Sequence, residues 1–261
     1  MITIYDWFGY ELPYPERCRL IREAGFDGVL MWWSEDLGRG KDYRSGPETA
    51  RKAGLFVENI HAPFALQDDI WRDTLDGEAA ENLYLQCVAD CAAFEIPTLV
   101  IHLPGENLPC TPGGLDRIRR IIDRAERLEV CLAFENLRNL PNLDAVLSLT
   151  DSERVGFCYD CGHHYRYYPE RVLLAAYGPR IKALHLHDND GAAMHRLPLD
   201  GEIDWRAAMR QIAKTGYSGP TAIEAMSWDY RSFSPAEFLR RAAQNARTLQ
   251  ALRRNSDCDN P

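Results

Sequence analysis

No apolar run in this 261-residue chain approaches the roughly 18 to 20 residues needed to cross a bilayer as a helix, so no membrane partner is expected. An excess of positive charge is missing as well. The 30 Lys and Arg against 39 Asp and Glu leave a net charge of −9, and a nucleic-acid backbone, which is gripped by clustered cations, is not expected as a ligand. Linkers, low-complexity tracts and strong repeats are absent. With 46% hydrophobic and 26% charged residues, the chain reads as globular throughout. There is no G-x-G-x-x-G, which argues against an open dinucleotide-binding sheet, and no G-x-S-x-G nucleophile elbow. The opening MITIYDWFGYELPYPERC has no basic segment leading into an apolar run. The eight cysteines lie mostly in apolar stretches, as buried or free thiols of a reducing compartment do, so a cytoplasmic location is expected. Cys158 and Cys161 form a C-x-x-C with no second pair, too little for a zinc knuckle.

What is present is an alternation. Short β-rich runs fall at 2–7, 27–33, 55–61, 98–102, 130–135, 155–160, 181–187 and 220–225. Helical patterns with apolar residues three and four apart lie between them, most clearly at 77–95, 114–129 and 204–216. A last helix is predicted over 235–254, opened by Pro235, whose missing N–H costs nothing at a first helical position. Eight strands alternating with helices in one domain of this size predict an α/β fold, a single (β/α)8 TIM barrel over residues 1–255, followed by a flexible polar tail at 256–261.

The histidines sharpen the reading. His61, His102, His185 and His187 end predicted strands, His163 and His164 follow Asp160 closely, and His195 lies in the loop after the seventh strand. None falls in a predicted helix, and the C-terminal rim of a barrel is where active sites are built. Glu135, Asp160 and Glu224 sit at or near the ends of strands five, six and eight. Period-two alternation places Ala133 with Glu135, Cys158 with Asp160, Ala183 with His185 and Ala222 with Glu224, all facing inward, while Phe134, Tyr159, Leu184, Leu186 and Ile223 face the helices. Small inward residues leave room for four polar side chains to converge. Buried together without a cation, they would repel and lose hydration. A divalent metal on Glu135, Asp160, His185 and Glu224 resolves this, and three carboxylates with one imidazole suit Mn²⁺, Mg²⁺, Co²⁺ or Zn²⁺. Trp7, Phe8, Trp32, Trp33, Phe64 and Trp228 cluster near strand ends and are candidate walls for a sugar. Arg166 and Arg196 are the basic candidates near the rim, with Arg196 able to meet a phosphate or carboxylate bidentately.

In IHAPF (60–64), VIHLPG (100–105), AFEN (133–136), DCGHH (160–164), HLHDND (185–190), GEIDW (201–205) and AIEA (222–225), taken in order, the chain resembles the xylose isomerase-like barrel superfamily, in particular the sugar phosphate isomerase/epimerase group related to endonuclease IV. The resemblance implies a metal on the same four residues and a substrate contact, or a second metal, at His163. It matches His61 and His102 to rim histidines that hold further zinc ions in the nucleases, and His195 to another such histidine. Ala193 stands where the nuclease pattern has an Asp, and Leu199 where family members commonly carry glycine. The first departure argues against a complete trinuclear zinc site and leaves one or two metals.

The expected chemistry is proton transfer next to a carbonyl of a small keto sugar, polyol or hydroxy-keto acid, with Glu135 and Glu224 as the proton carriers. Substrate contacts are expected from His61, His102, His163, His195, Arg196, Trp7, Trp33 and Phe64. Dehydration of a cyclic polyol on the same site and phosphodiester cleavage stay open as alternatives, as does a sugar-binding barrel without catalysis. A homo-oligomer is compatible with the composition. Schiff-base catalysis is excluded. Among Lys41, Lys52, Lys182 and Lys214 only Lys182 lies on a strand, and it is out of phase with His185.

Overall fold

The computed structural model describes residues 1–105, 107–191 and 194–258. Ala193 and residues 259–261 of the expected tail lie outside them. The strands are β1 (Ile2–Tyr5), β2 (Gly28–Trp32), β3 (Phe56–His61), β4 (Thr98–Ile101), β5 (Cys131–Glu135), β6 (Val155–Asp160), β7 (Ile181–His185) and β8 (Thr221–Ile223). They form one parallel sheet in the order β7-β6-β5-β4-β3-β2-β1-β8. Leu186 joins the two ends, donating to the Ala222 carbonyl and accepting from the Glu224 N–H, so the sheet curls into a (β/α)8 barrel. Each strand is one that the sequence predicts, shortened by up to three residues.

The two faces of the barrel differ in size for a packing reason. Val100, Ala133, Cys158 and Ala183 form a small cluster of their own inside the ring. Phe134, Phe157, Tyr159, Leu184 and Ile223 belong to the large core between sheet and helices. Bulk outside and small residues within leave space above the inner cluster at the C-terminal rim.

Among the described residues the helices are α1 (Tyr14–Glu23), α2 (Gly46–Lys52), α3 (Leu75–Ala93), α4 (Pro112–Arg127), α5 (Leu140–Leu147), α6 (Cys161–Tyr167), α7 (Leu173–Tyr177), α8 (Trp205–Lys214) and α9 (Pro235–Cys258). Side-chain caps start many of them: Thr74 accepts from Gly77 N, Thr111 from Gly114 N, Asn139 from Asn142 N, Asp160 from His163 N and Asp204 from Ala207 N. The helix α6 is unexpected. β6 runs straight into it, so His163 and His164 are helical where the sequence suggests a loop. No described helix is long and apolar enough to cross a membrane.

Candidate metal centre at the barrel mouth

The C-terminal ends of β3 to β8 carry the chemistry. Register sets Asp160 level with His185 across β6 and β7, and Glu135 level with Cys158 across β5 and β6. The four inward side chains at the rim meet. His185 Nδ1 lies 2.9 Å from Glu135 Oε2 and 3.3 Å from Glu224 Oε2. One donor atom from each of Asp160, His185 and Glu224 lies within 4.8 Å of the others. His163 Nδ1 is 3.1 Å from Glu135 Oε1 and 3.4 Å from Asp160 Oδ2. On the β3–β4 side, His61 Nε2 and His102 Nε2 are 3.2 Å apart and 3.6 and 3.3 Å from Glu135 Oε2.

These donors fit a divalent cation. Glu135 Oε2, His163 Nδ1 and His185 Nδ1 are buried and crowd one another, yet none has a hydrogen-bond partner of acceptable geometry. Orphaned donors of this kind converge on a point rather than pair with each other. His61 has its Nδ1–H on the Ala62 carbonyl at 2.8 Å, so its bare Nε2 faces the cluster, as a metal ligand requires. His61, His102 and Glu135 form a second donor set beside the first.

Charge balance points the same way. Burial opposes ionisation of Glu135, but His102 and His185 outweigh it and hold the carboxyl well below the usual range. Asp160 is also lowered, against burial, by His163 and His187. Burial pushes Glu224 up to about 7, with Glu135 and Asp160 adding to it and His185 opposing. Burial would lower His163, but Asp160 and Glu135 raise it to about 9, and His185 is raised well above its ordinary value by Cys158, Glu224 and Glu135. The neighbouring carboxylates thus favour the protonated form of His163 and His185, a positive charge that a cation would supply instead. Burial lowers His61 to about 4, and burial with His187 lowers His195 to about 3, so both rings are neutral at pH 7.

The rest of the predicted site divides. His195 Nδ1 donates to the Glu224 carbonyl at 3.1 Å. Phe64 is 48% exposed at the mouth, with its ring 4.8 Å from that of His102 and 4.7 Å from that of Trp32. Trp228, 56% exposed, sets its edge against His195. Trp33 is a correction. It is buried in the helical shell, packs on Tyr43 and Phe94, and donates its indole N–H to Asp90 of α3. Strand alternation turns its neighbour Trp32 to His61 instead. Trp7 holds the Arg17 guanidinium 5.0 Å from its ring, and Phe8 stacks on Phe238 in the core. Arg196 is engaged by Asp190 at 2.7 Å. His164 is fixed between the Tyr159 hydroxyl and the Arg171 carbonyl, away from the cluster.

Two residues carry more than their sequence positions suggested. His187, wholly buried, touches Asp160. Asp188, also buried, accepts from the backbone N–H groups of Asn189, Leu199 and Ile203 and from the Trp205 indole. That set explains why HLHDND and GEIDW occur together: one carboxylate folds the loop between them, and a Cβ on Gly201 would fall 2.3 Å from its Oδ1. Leu199 has φ 76 in this loop, the left-handed region that favours glycine.

The sequence profile described as xylose isomerase-like TIM barrel matches residues 18–253. The chain is 29% identical to the uncharacterized protein y4fM of Sinorhizobium fredii, over 96% of this chain and 94% of that one. It is 24% identical to fructoselysine 3-epimerase of Shigella flexneri, over 91% and 94%. Among solved structures, the IolI protein with a binding zinc atom superposes with a TM-score of 0.78 at 14% identity, covering 98% of this chain and 99% of that one, which shows a shared fold.

Proposed function

The chain belongs to the xylose isomerase-like TIM barrel family, and on that premise we propose that it is a metal-dependent epimerase or isomerase of a small unphosphorylated keto sugar or related polyol derivative. The observation that carries the reading is the cluster of Asp160, His185 and Glu224 donor atoms with Glu135 Oε2 2.9 Å from His185 Nδ1, buried donors among them left without partners, at the barrel mouth. The full-length similarity to a fructoselysine 3-epimerase supports the substrate class.

Glu135, Asp160, His185 and Glu224 would hold Mn²⁺, Mg²⁺, Co²⁺ or Zn²⁺, and His61 with His102 leaves room for a second ion. When bound, the cation polarises a substrate carbonyl and eases loss of the neighbouring proton. Glu135 and Glu224 approach His185 from β5 and β8, so they flank the space above it. One takes the proton from the carbon beside the carbonyl. The other returns it, to the opposite face for epimerisation or to the adjoining carbon for isomerisation. His163 is placed to donate to a substrate oxygen. Neutral His61 and His195 accept or orient hydroxyls, while Phe64 and Trp32 give the mouth an apolar wall. The Asp190 carboxylate on Arg196 is the reason for preferring a sugar without phosphate.

Solvent exchange tests this. Mn²⁺-loaded protein incubated in D₂O with a panel of ketopentoses, ketohexoses and their phosphates should place deuterium beside the carbonyl of an unphosphorylated member. Chelation should abolish the exchange, and Glu135→Gln or Glu224→Gln should lower it by at least about a hundredfold. Loss of water from a cyclic polyol without epimerisation would move the assignment to a dehydratase. Cleavage of abasic DNA would move it to a phosphodiesterase.

A further inference from the structure

His187 lies outside the four-residue donor set, yet its surroundings are the more restrictive. The ring is fully buried. Its Nδ1 lies 3.0 Å from the backbone N of His195, a group that can only donate, so Nδ1 is an acceptor. The Asp188 carbonyl is also near this nitrogen, at 3.4 Å, but it is the longer and weaker contact. The proton of the neutral ring therefore sits on Nε2, which points at Asp160 Oδ2 from 3.1 Å. The other oxygen of Asp160 accepts from the backbone N of His163 at 2.6 Å, as the cap of α6. Both carboxylate oxygens thus have defined donors, and the rotation of the carboxylate is set from two sides. The fold makes room for this ring: a Cβ on Gly162 would lie 1.9 Å from His187 Cε1. The His195 ring covers the other side, 4.1 Å away and 29° from parallel.

We propose that His187 is a positioning residue for Asp160: locked as the Nε2–H tautomer by the His195 backbone, it aims the carboxylate at the metal position. The inference rests on the metal-centre reading above. Although a His187 nitrogen also lies within reach of donor atoms of His195 and Glu224, its Nδ1 is taken by the His195 backbone N–H and its Nε2 by Asp160, which assigns the ring to orienting a ligand rather than to binding an ion. Ligand orientation by a hydrogen-bonded partner of this kind commonly changes metal affinity about 10- to 100-fold.

Two substitutions separate the two nitrogens. In His187→Gln the amide nitrogen reaches the position of Nε2 and can still donate to Asp160. In His187→Asn the side chain reaches only as far as Nδ1, and the donation is lost. Mn²⁺ affinity of the full chain would be measured by competition with a chelating fluorophore, with metal-free melting temperatures recorded alongside. The expected result is affinity within about threefold of wild type for the Gln variant and a loss of about 10- to 100-fold for the Asn variant. Equal affinity in wild type and both variants overturns the proposal. An equal loss in both also overturns it, since a ligand or a general packing role would not distinguish them. If either variant fails to fold, ¹⁵N NMR of the wild-type imidazoles decides, the Nε2–H tautomer at His187 supporting the assignment and the Nδ1–H tautomer overturning it. A wild-type chain that binds no divalent ion removes the metal-centre reading itself and this inference with it, an outcome distinct from the other two.

Discussion

Adjacent tryptophans, Trp32 at the end of β2 and Trp33 just beyond it, show how much one step along the chain decides. Trp32 and Trp33 have the same composition and nearly the same sequence context, yet one ring meets His61 and Phe64 while the other is bonded to Asp90 under α3. Trp33→Ala should therefore cost stability, by about 3 to 5 kcal/mol for the cavity left in the shell, with the KM for sugar unchanged. Urea denaturation and steady-state kinetics check this, and a raised KM at wild-type stability would return Trp33 to the site. Period-two phase sets Glu135, Asp160 and His185 on the same face as Ala133, Cys158 and Ala183, the small residues inside the ring, because alternation is a local property. Phase does not settle Trp33, because residues 29–33 form an uninterrupted apolar run with no polar marker of which face is inside.

At the scale of elements, the loop from β7 to α8 is organised by a single buried carboxylate. Asp188→Asn would present an amide N–H to groups that are all donors, and a loss of about 3 kcal/mol or more is expected from the charged hydrogen bonds removed. Faster amide exchange at Leu199 and Ile203 should accompany it. A loss below about 1 kcal/mol in urea denaturation would mean that the loop holds itself. The ordered motifs HLHDND and GEIDW were visible in the sequence. Their shared cause was not, since it joins residues up to 17 positions apart. The helix α6 is illegible in the sequence for a different reason. Seven residues are too few for a periodic pattern, and its cap, Asp160, sits at a strand end in the same phase as the other inward donors.

For the molecule as a whole, burial inside the barrel ties stability to pH through Glu58. This β3 carboxyl accepts from the Thr3 hydroxyl, but its other oxygen has no partner, and burial raises it to about 7 against the opposing effects of Thr3 and His185. Folded Glu58 binds its proton more tightly than the unfolded chain does. The folded state therefore loses stability as pH rises from the ordinary carboxylate range to about 7, and the loss is complete above that. Glu58→Gln removes this ionisation. The variant should gain on wild type by up to about 3 kcal/mol at pH 8, with the gap closing by pH 5. Melting curves at the two pH values decide, and a gap independent of pH would contradict the assignment.

The barrel itself was written in local pattern: eight β-rich runs, each bounded by turns and separated by amphipathic stretches, admit few other closed arrangements. The types of donor at the rim, carboxylate and imidazole, were equally local, because they sit at strand ends in a fixed phase. What needed the tertiary structure was everything decided by contact between strands distant in the chain. The seating of His187 between Asp160 and the backbone of His195 and the pairing of His61 with His102 against Glu135 depend on how the barrel closes and how its loops fold over the rim. Periodicity tells a side chain which way to face. Only closure determines what it faces.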